Sequence, residues 1–287
     1  MKSIHQGWLN GFIGVLIFAG SMPATRLAVQ GFSPEFLTGI RAVIAASIAI
    51  MLLLILRQQR PSAAQLKSLA IVSIGVVAGF PFFTALALQT LSAAHSLIFI
   101  ALLPLSTAFF AVLRAKELPQ TAFWMYAGLG SSAVMFFMLY QSGLHGISIG
   151  DAYMIAAVLL CGLGYAEGGM LSRSLGGWQV ICWALVMALP LMLLISWIYI
   201  PQDFSRIPRT AYLGLAYVSL FSMLIGFFFW YKGLALGGIA KIGQIQLVQP
   251  FIGLMLCAII LNEHITLLMI AVSAAVVACV VMAKKYA

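Results

Sequence analysis

The chain has 287 residues, of which 63% are hydrophobic and only 7% charged, with a mean hydropathy of +1.11. Soluble domains are about a quarter charged, so this composition excludes a soluble globular protein. It predicts an all-α integral membrane protein with room for about ten helical spans. The formal charge of +9 does not point to nucleic acid, because the basic residues stand singly or in pairs between apolar runs, as membrane anchors do.

In chain order the spans are predicted at about Trp8–Ala28, Pro34–Leu56, Leu66–Leu88, Ala93–Leu113 and Thr121–Tyr140. A second set follows at about Asp151–Leu171, Trp178–Ile198, Ala211–Gly233, Ile239–Leu261 and Ile265–Ala283. The first run is longer than the apolar part of a signal peptide and is expected to stay as the first helix. Turns at Leu91–Ser92 and Gly237–Gly238 are tight enough to predict antiparallel hairpins. Cys161, Cys182, Cys257 and Cys279 all lie inside apolar runs without metal-ligand spacing, so neither a metal site nor a disulfide framework is expected.

With a cytoplasmic N-terminus, Lys2, Arg57, Arg60, Lys67, Arg114, Lys116, Arg173, Lys232, Lys241, Lys284 and Lys285 gather inside. Arg26, Arg41, Arg206 and Arg209 fall outside. That asymmetry obeys the positive-inside rule, puts both termini in the cytoplasm and suits a multi-pass protein of the cell inner membrane. The two sets also share a grammar. A constant shift of 146 residues carries Leu88 to Leu234, Ala94 to Ala240, His95 to Lys241, Pro104 to Pro250 and Glu117 to Glu263. Five spans per set is odd, so residues 1–145 and 146–287 are expected to be two inverted five-helix repeats, the plan of alternating-access transporters.

The mid-helix prolines Pro104 and Pro250, followed by Lys116-Glu117 and Asn262-Glu263, resemble the EamA family of the drug/metabolite transporter superfamily. The likeness covers essentially the whole chain and implies two five-helix repeats, with helices 1, 3, 4, 6, 8 and 9 lining a central path. One position departs from the pattern. Gly128 follows Glu117 at the expected spacing, but Ala274 stands in the matching place after Glu263, which would loosen the register of the last helix.

Ionisable groups inside spans are costly, roughly +2.5 to +3.5 kcal/mol at the centre by insertion scales, so each needs a reason. Glu167, in the glycine-rich Gly162–Gly169 stretch beside Tyr165, reads as a site for a cationic group or a proton. Its alternative is an interfacial carboxylate paired with Arg173 or Lys241. Lys241 and Gln244 share a helix face and would meet a substrate carboxylate, unless Lys241 snorkels to the interface. His95 reads as a titrating group or a satisfied interfacial histidine, and Gln246 and Gln249 as helix-packing groups. Arg41 is expected to seal the outer end against Glu35. Phe83 near Pro81, and Trp230 with Tyr231, are candidate hydrophobic gates. Pro23 would interrupt the first span and leave Ser21 and Thr25 near the path. Pro23, Pro81, Pro104 and Pro250 are candidate hinges.

No phosphate loop and no hydrolase or metalloprotease motif occurs, so no enzyme and no cofactor is expected. The leading reading is a secondary transporter exporting small metabolites such as amino acids, with the lipid bilayer as its other partner and a monomer sufficient. An exporter of lipophilic cations from the same superfamily is the alternative, followed by a membrane-embedded enzyme or a channel. The six Asp and Glu residues are scattered, against the enzyme.

Overall fold

The structure, a computed structural model, describes residues 2–115, 120–141, 148–237 and 239–284. Glu117, Lys116 and Gly238 lie outside them. Among the described residues the chain is helical, with no strand. Seven continuous stretches are long and apolar enough to cross a membrane, and Ile245–Leu261 and Leu267–Cys279 are shorter apolar helices.

The first helical stretch is split into α1 (Lys2–Ala19) and α2 (Ser21–Ala28), and the second stretch is α3 (Pro34–Ile55). The third is α4 (Ala63–Val72), a π-helical stretch (Ser73–Gly79) and α5 (Phe80–Thr90). α6 (Ala93–Ile100) and α7 (Leu103–Ala115) make the fourth, α8 (Thr121–Gln141) the fifth, α9 (Ile149–Leu175) the sixth and α10 (Gly177–Ile198) the seventh. The eighth is α11 (Arg209–Tyr217), a second π-helical stretch (Val218–Ile225) and α12 (Gly226–Gly237). α13 (Ile239–Gly243), a 3-10 turn (Gln244–Val248) and α14 (Gln249–Leu261) form the ninth stretch. α15 (Leu267–Lys284) closes the chain.

Serine marks four of the helix starts. Ser33, Ser62, Ser92 and Ser148 each accept a hydrogen bond from the backbone N–H three residues on, and Gln65 and Asp151 return the bond at two of them. Each orphan donor of a first turn that is satisfied this way is worth about 1 kcal/mol.

Proline marks the breaks. A proline lacks an N–H and its ring collides with the carbonyl four residues earlier. Those carbonyls belong to Ala19, Val77, Ile100 and Gln246. α1 ends at Ala19 and α6 at Ile100, while Val77 lies in the first π-helical stretch and Gln246 in the 3-10 turn. Pro23, Pro81, Pro104 and Pro250 therefore sit just beyond four irregularities that they help to create. Pro190 is carried inside α10.

Packing departs from the hairpin expectation. α5 and α6 meet only near their turn; α5 and the π-helical stretch before it pack on α9, and α12 packs on α1. Small residues explain the preference. A Cβ at Gly75 would lie 2.6 Å from the Leu160 carbonyl oxygen and 2.9 Å from Gly164 Cα, and one at Gly233 would lie 2.7 Å from Gly11 N. Backbones that approach this closely gain dispersion contacts that lipid chains do not replace. α3 packs along α10, α8 along α15 and α6 against α14. Gly176, at φ +98°, makes the sharp turn between α9 and α10.

The outer surface is apolar in the manner of a lipid-facing protein: Trp197, Leu267, Leu54 and Ile259 are among its exposed large side chains. Gly128 faces open space and Ala274 is exposed.

Candidate functional site

Three helices bring one aromatic cluster together at the centre of the bundle. Phe18 of α1 meets Phe227 of α12 with ring centroids 5.0 Å apart, and Tyr165 of α9 lies 5.5 Å from Trp230 and 5.9 Å from Phe227. Tyr231 lies 5.2 Å from Phe227, and its hydroxyl donates to the Gly164 carbonyl at 3.3 Å. Gly168 leaves room for that ring, since a Cβ there would overlap the Tyr231 hydroxyl. All five rings are buried.

Polar groups at this cluster are incompletely used. Trp230 is fully buried and its Nε1 has no partner. Gln249 of α14 donates weakly from Nε2 to the Phe18 carbonyl at 3.5 Å, and its Oε1 has no partner. Gln246, 1% exposed in the 3-10 turn, has neither amide atom bonded. An unmet buried donor or acceptor costs about 1–3 kcal/mol, and such groups are what a ligand entering the bundle would satisfy.

Glu167 is two residues beyond Tyr165 and 3% exposed, and the Ser68 hydroxyl of α4 donates to its Oε1 at 2.5 Å. Sequence reasoning singled out Glu167, Tyr165, Trp230 and Tyr231 on two separate spans; the structure brings the three aromatics into one cluster, while Glu167 meets Ser68. The backbone of Lys241 and Gln244 is helical, but their side chains lie outside the described residues.

His95 stands apart, at the end of the bundle where α6 begins. Its Nε2 is 2.8 Å from Asp151 Oδ1, and both are buried. Asp151 is fixed in turn by the Ser148 N–H and hydroxyl. Glu263 arrives at the same end: its carboxylate accepts from Ala93 N at 3.0 Å and Ala94 N at 2.8 Å, capping α6. Asn262 makes this possible by adopting a left-handed conformation, φ +52°, that turns the chain after α14. Arg26 donates to the Leu88 carbonyl nearby. Phe83 is elsewhere again, tilted against Tyr153 and outside the aromatic cluster.

Arg41 does not seal an end against Glu35. It is 4% exposed, and one terminal nitrogen donates to the Val218 carbonyl at 3.2 Å and to Ser222 Oγ at 3.3 Å. The physical reason is helical register: positions six apart on α3 do not share a face. Facing Arg41, the π-helical stretch offers the Val218 carbonyl. Ser21 of α2 donates to Ser222 at 2.8 Å, and the buried Thr25 donates back to the Ser21 carbonyl at 2.7 Å. Sequence reasoning missed Ser68, Asp151 and Ser222 as members of these sites; serines inside spans give too common a signal.

The composition, the helices and the buried polar centre describe a carrier-like bundle, and comparison with known proteins decides its family. The EamA-like transporter family matches residues 5–139 and again residues 148–283. The chain belongs to that family. It is similar over its whole length to an uncharacterized transporter of Bacillus subtilis (strain 168), YdeK, at 57% identity, with all of both chains covered. A crystal structure with 17% identity superposes with a TM-score of 0.68 over 96% of each chain, a likeness of fold alone. This EamA-like protein is therefore a membrane transporter, and membership of that family points away from an enzyme.

Proposed function

We propose that the protein is a secondary transporter that exports small metabolites such as amino acids across the cell inner membrane by alternating access. Its ten spans form two inverted five-helix repeats, residues 1–145 and 146–287, with both termini cytoplasmic, and one chain contains a whole pathway. The observation that carries this reading is the correspondence of irregularities at the 146-residue offset. The π-helical stretch Ser73–Gly79 answers Val218–Ile225, and the break before Pro104 answers the turn before Pro250. Packing follows the same exchange: α1 lies on α12 as α9 lies on α5, while α3–α10 and α8–α15 pair with their own counterparts. Irregular backbone at membrane depth is tolerated where it lines a cavity or moves.

In this reading the aromatic cluster holds the apolar body of the substrate, and Glu167 meets a cationic group or a proton on the inner part of the path. The four prolines act as bends about which the fourth and ninth spans rock. The end tied by His95–Asp151, Glu263 and Arg26 is the outer one, held shut by bonds that must break for release. A second reading, export of lipophilic cations, draws support from the same cluster, because five buried aromatic rings suit a cation. Counterflow in proteoliposomes preloaded with amino acids, polyamines or lipophilic cations tests both. Saturable exchange of amino acids supports the first, and exchange of cations alone supports the second. No exchange of any compound by folded protein would sink the carrier reading.

A further inference from the structure

We propose that Arg41, Thr38 and Ser222 form a binding site for a carboxylate, and that the compound carried is therefore an organic acid or a zwitterion. The inference rests on the transport reading. Arg41 lies on α3 about 10 Å below its first residue, so it is inside the apolar layer. A cation there is expected to face an anion or a chain of acceptors.

The local inventory is short of acceptors. A guanidinium has five N–H donors, yet the contacts of Arg41 are two bonds longer than 3.1 Å from a single terminal nitrogen, and its Nε has no partner. No carboxylate pairs with it among the described residues. Ser222 Oγ already accepts from Arg41 and from Ser21, so its own hydroxyl proton is left to donate. Thr38, 3% exposed and three residues before Arg41 on the same face of α3, has a buried hydroxyl without a partner. Unused donors on one face of α3 and on the second π-helical stretch thus lie beside a positive charge that no carboxylate meets among the described residues. A planar guanidinium matches a carboxylate through two parallel bonds, and the two hydroxyls supply further donors to the same oxygens. One fixed cation suits one negative charge.

The position supports the role. Ser222 and Ser21 lie about one helical turn from Gly226 and Phe18, the edge of the aromatic cluster, and a Cβ at Gly226 would lie 2.7 Å from the Phe18 ring. A carboxylate on Arg41 leaves an attached apolar body within reach of those rings. The π-helical stretch supplies both contacts of Arg41, so movement there changes what the guanidinium meets.

The test uses one body with three charges: phenylalanine, 3-phenylpropionate and phenethylamine. Each is the probe in counterflow and in thermal unfolding of the purified full chain. Wild type is expected to exchange the two carboxylates. Arg41→Gln should raise their half-saturating concentrations about tenfold or more while leaving any exchange of the amine within about twofold. Thr38→Val removes an unbonded hydroxyl, so its unfolding temperature should match or exceed wild type while carboxylate affinity falls several-fold. If Arg41→Gln fails to fold, Thr38→Val and Arg41→Lys decide the matter, the latter keeping charge but losing the two-pronged fit. Exchange of the amine but of neither carboxylate would overturn the site and leave the carrier standing. So would equal losses for all three probes in folded variants. Exchange of none of the three by folded wild type, while other cations in the larger panel are carried, would overturn it too. Failure of the entire panel would remove the carrier reading itself.

Discussion

Replacing Glu263 by alanine should loosen the start of α6 by an amount that the geometry sets. The carboxylate accepts two backbone N–H bonds, at 3.0 and 2.8 Å, from the first two residues of that helix. A hydrogen bond to a charged group contributes about 1.5–3 kcal/mol, and the favourable charge at a helix N-terminus is already counted within it. Glu263 is half-buried and Ser92 keeps its own bond to His95 N, which together trim the loss to about 2–4 kcal/mol. For a chain of this size that is a fall of about 3–7 °C in unfolding temperature. Amide exchange at Ala93 and Ala94 should speed roughly 30-fold or more. Glu263→Gln retains one neutral acceptor and should lose about half as much. The assay is thermal unfolding in detergent together with hydrogen exchange read by mass spectrometry on the peptide spanning Leu91–Ile100. A Glu263→Ala protein with wild-type unfolding and wild-type protection at Ala93 and Ala94 would refute the capping argument.

Gly168→Ala should cost about 1–3 kcal/mol, because its methyl group overlaps a buried Tyr231 that has no room to retreat, and it should impair transport. Gly128→Ala is the matched control: nothing lies within 4 Å of the added atom, so stability should hold or rise by about 0.5–1 kcal/mol. His95→Ala leaves Asp151 still bonded to Ser148, so the loss should be about 1–3 kcal/mol. A double-mutant cycle with Asp151→Asn that shows no coupling would refute a functioning pair. Glu167→Gln is expected to abolish dependence on a pH gradient if that carboxylate carries the proton. Full retention of the dependence would remove it from that role. Asn262→Val places a β-branched residue at φ +52° and should reproduce much of the Glu263→Ala defect, by about 1–3 kcal/mol.

The helical stretches were legible because hydropathy, serine caps and proline all act locally. Predicted starts at Pro34, Ala93, Thr121 and Ile239 coincide with the observed ones. The proline breaks were equally local, since the clash reaches back a fixed four residues. What escaped was the partner of each polar group. Arg41 was assigned to Glu35 by nearness in sequence, whereas six helical positions rotate the two onto different faces and the true acceptors lie 177 and 181 residues away. The Asn262-Glu263 pair stood out as a pattern without a task, because its task lies 169 and 170 residues upstream. Phe83 and the Trp230–Tyr231 pair were both candidate gates. Yet the offset carries Trp230 and Tyr231 onto Thr84 and Ala85, so the aromatic cluster has no copy in the first half. Repeats preserve backbone plan more faithfully than side-chain chemistry.

The bond from Glu263 to α6 also sets an order of events during synthesis. The acceptor is made 170 residues after Ala93, a delay of about 10–35 s at ordinary translation rates of roughly 5–20 residues per second. Throughout that interval the fourth span sits in the bilayer with its first two amides unmet by the carboxylate that will finally hold them. α1 waits in the same way for α12. The N-terminal half therefore cannot complete its own packing when it leaves the ribosome, and the last spans to insert are the ones that close the molecule. Truncation near the C-terminus should accordingly expose the beginning of the chain to membrane proteases, although the missing residues lie at its other end.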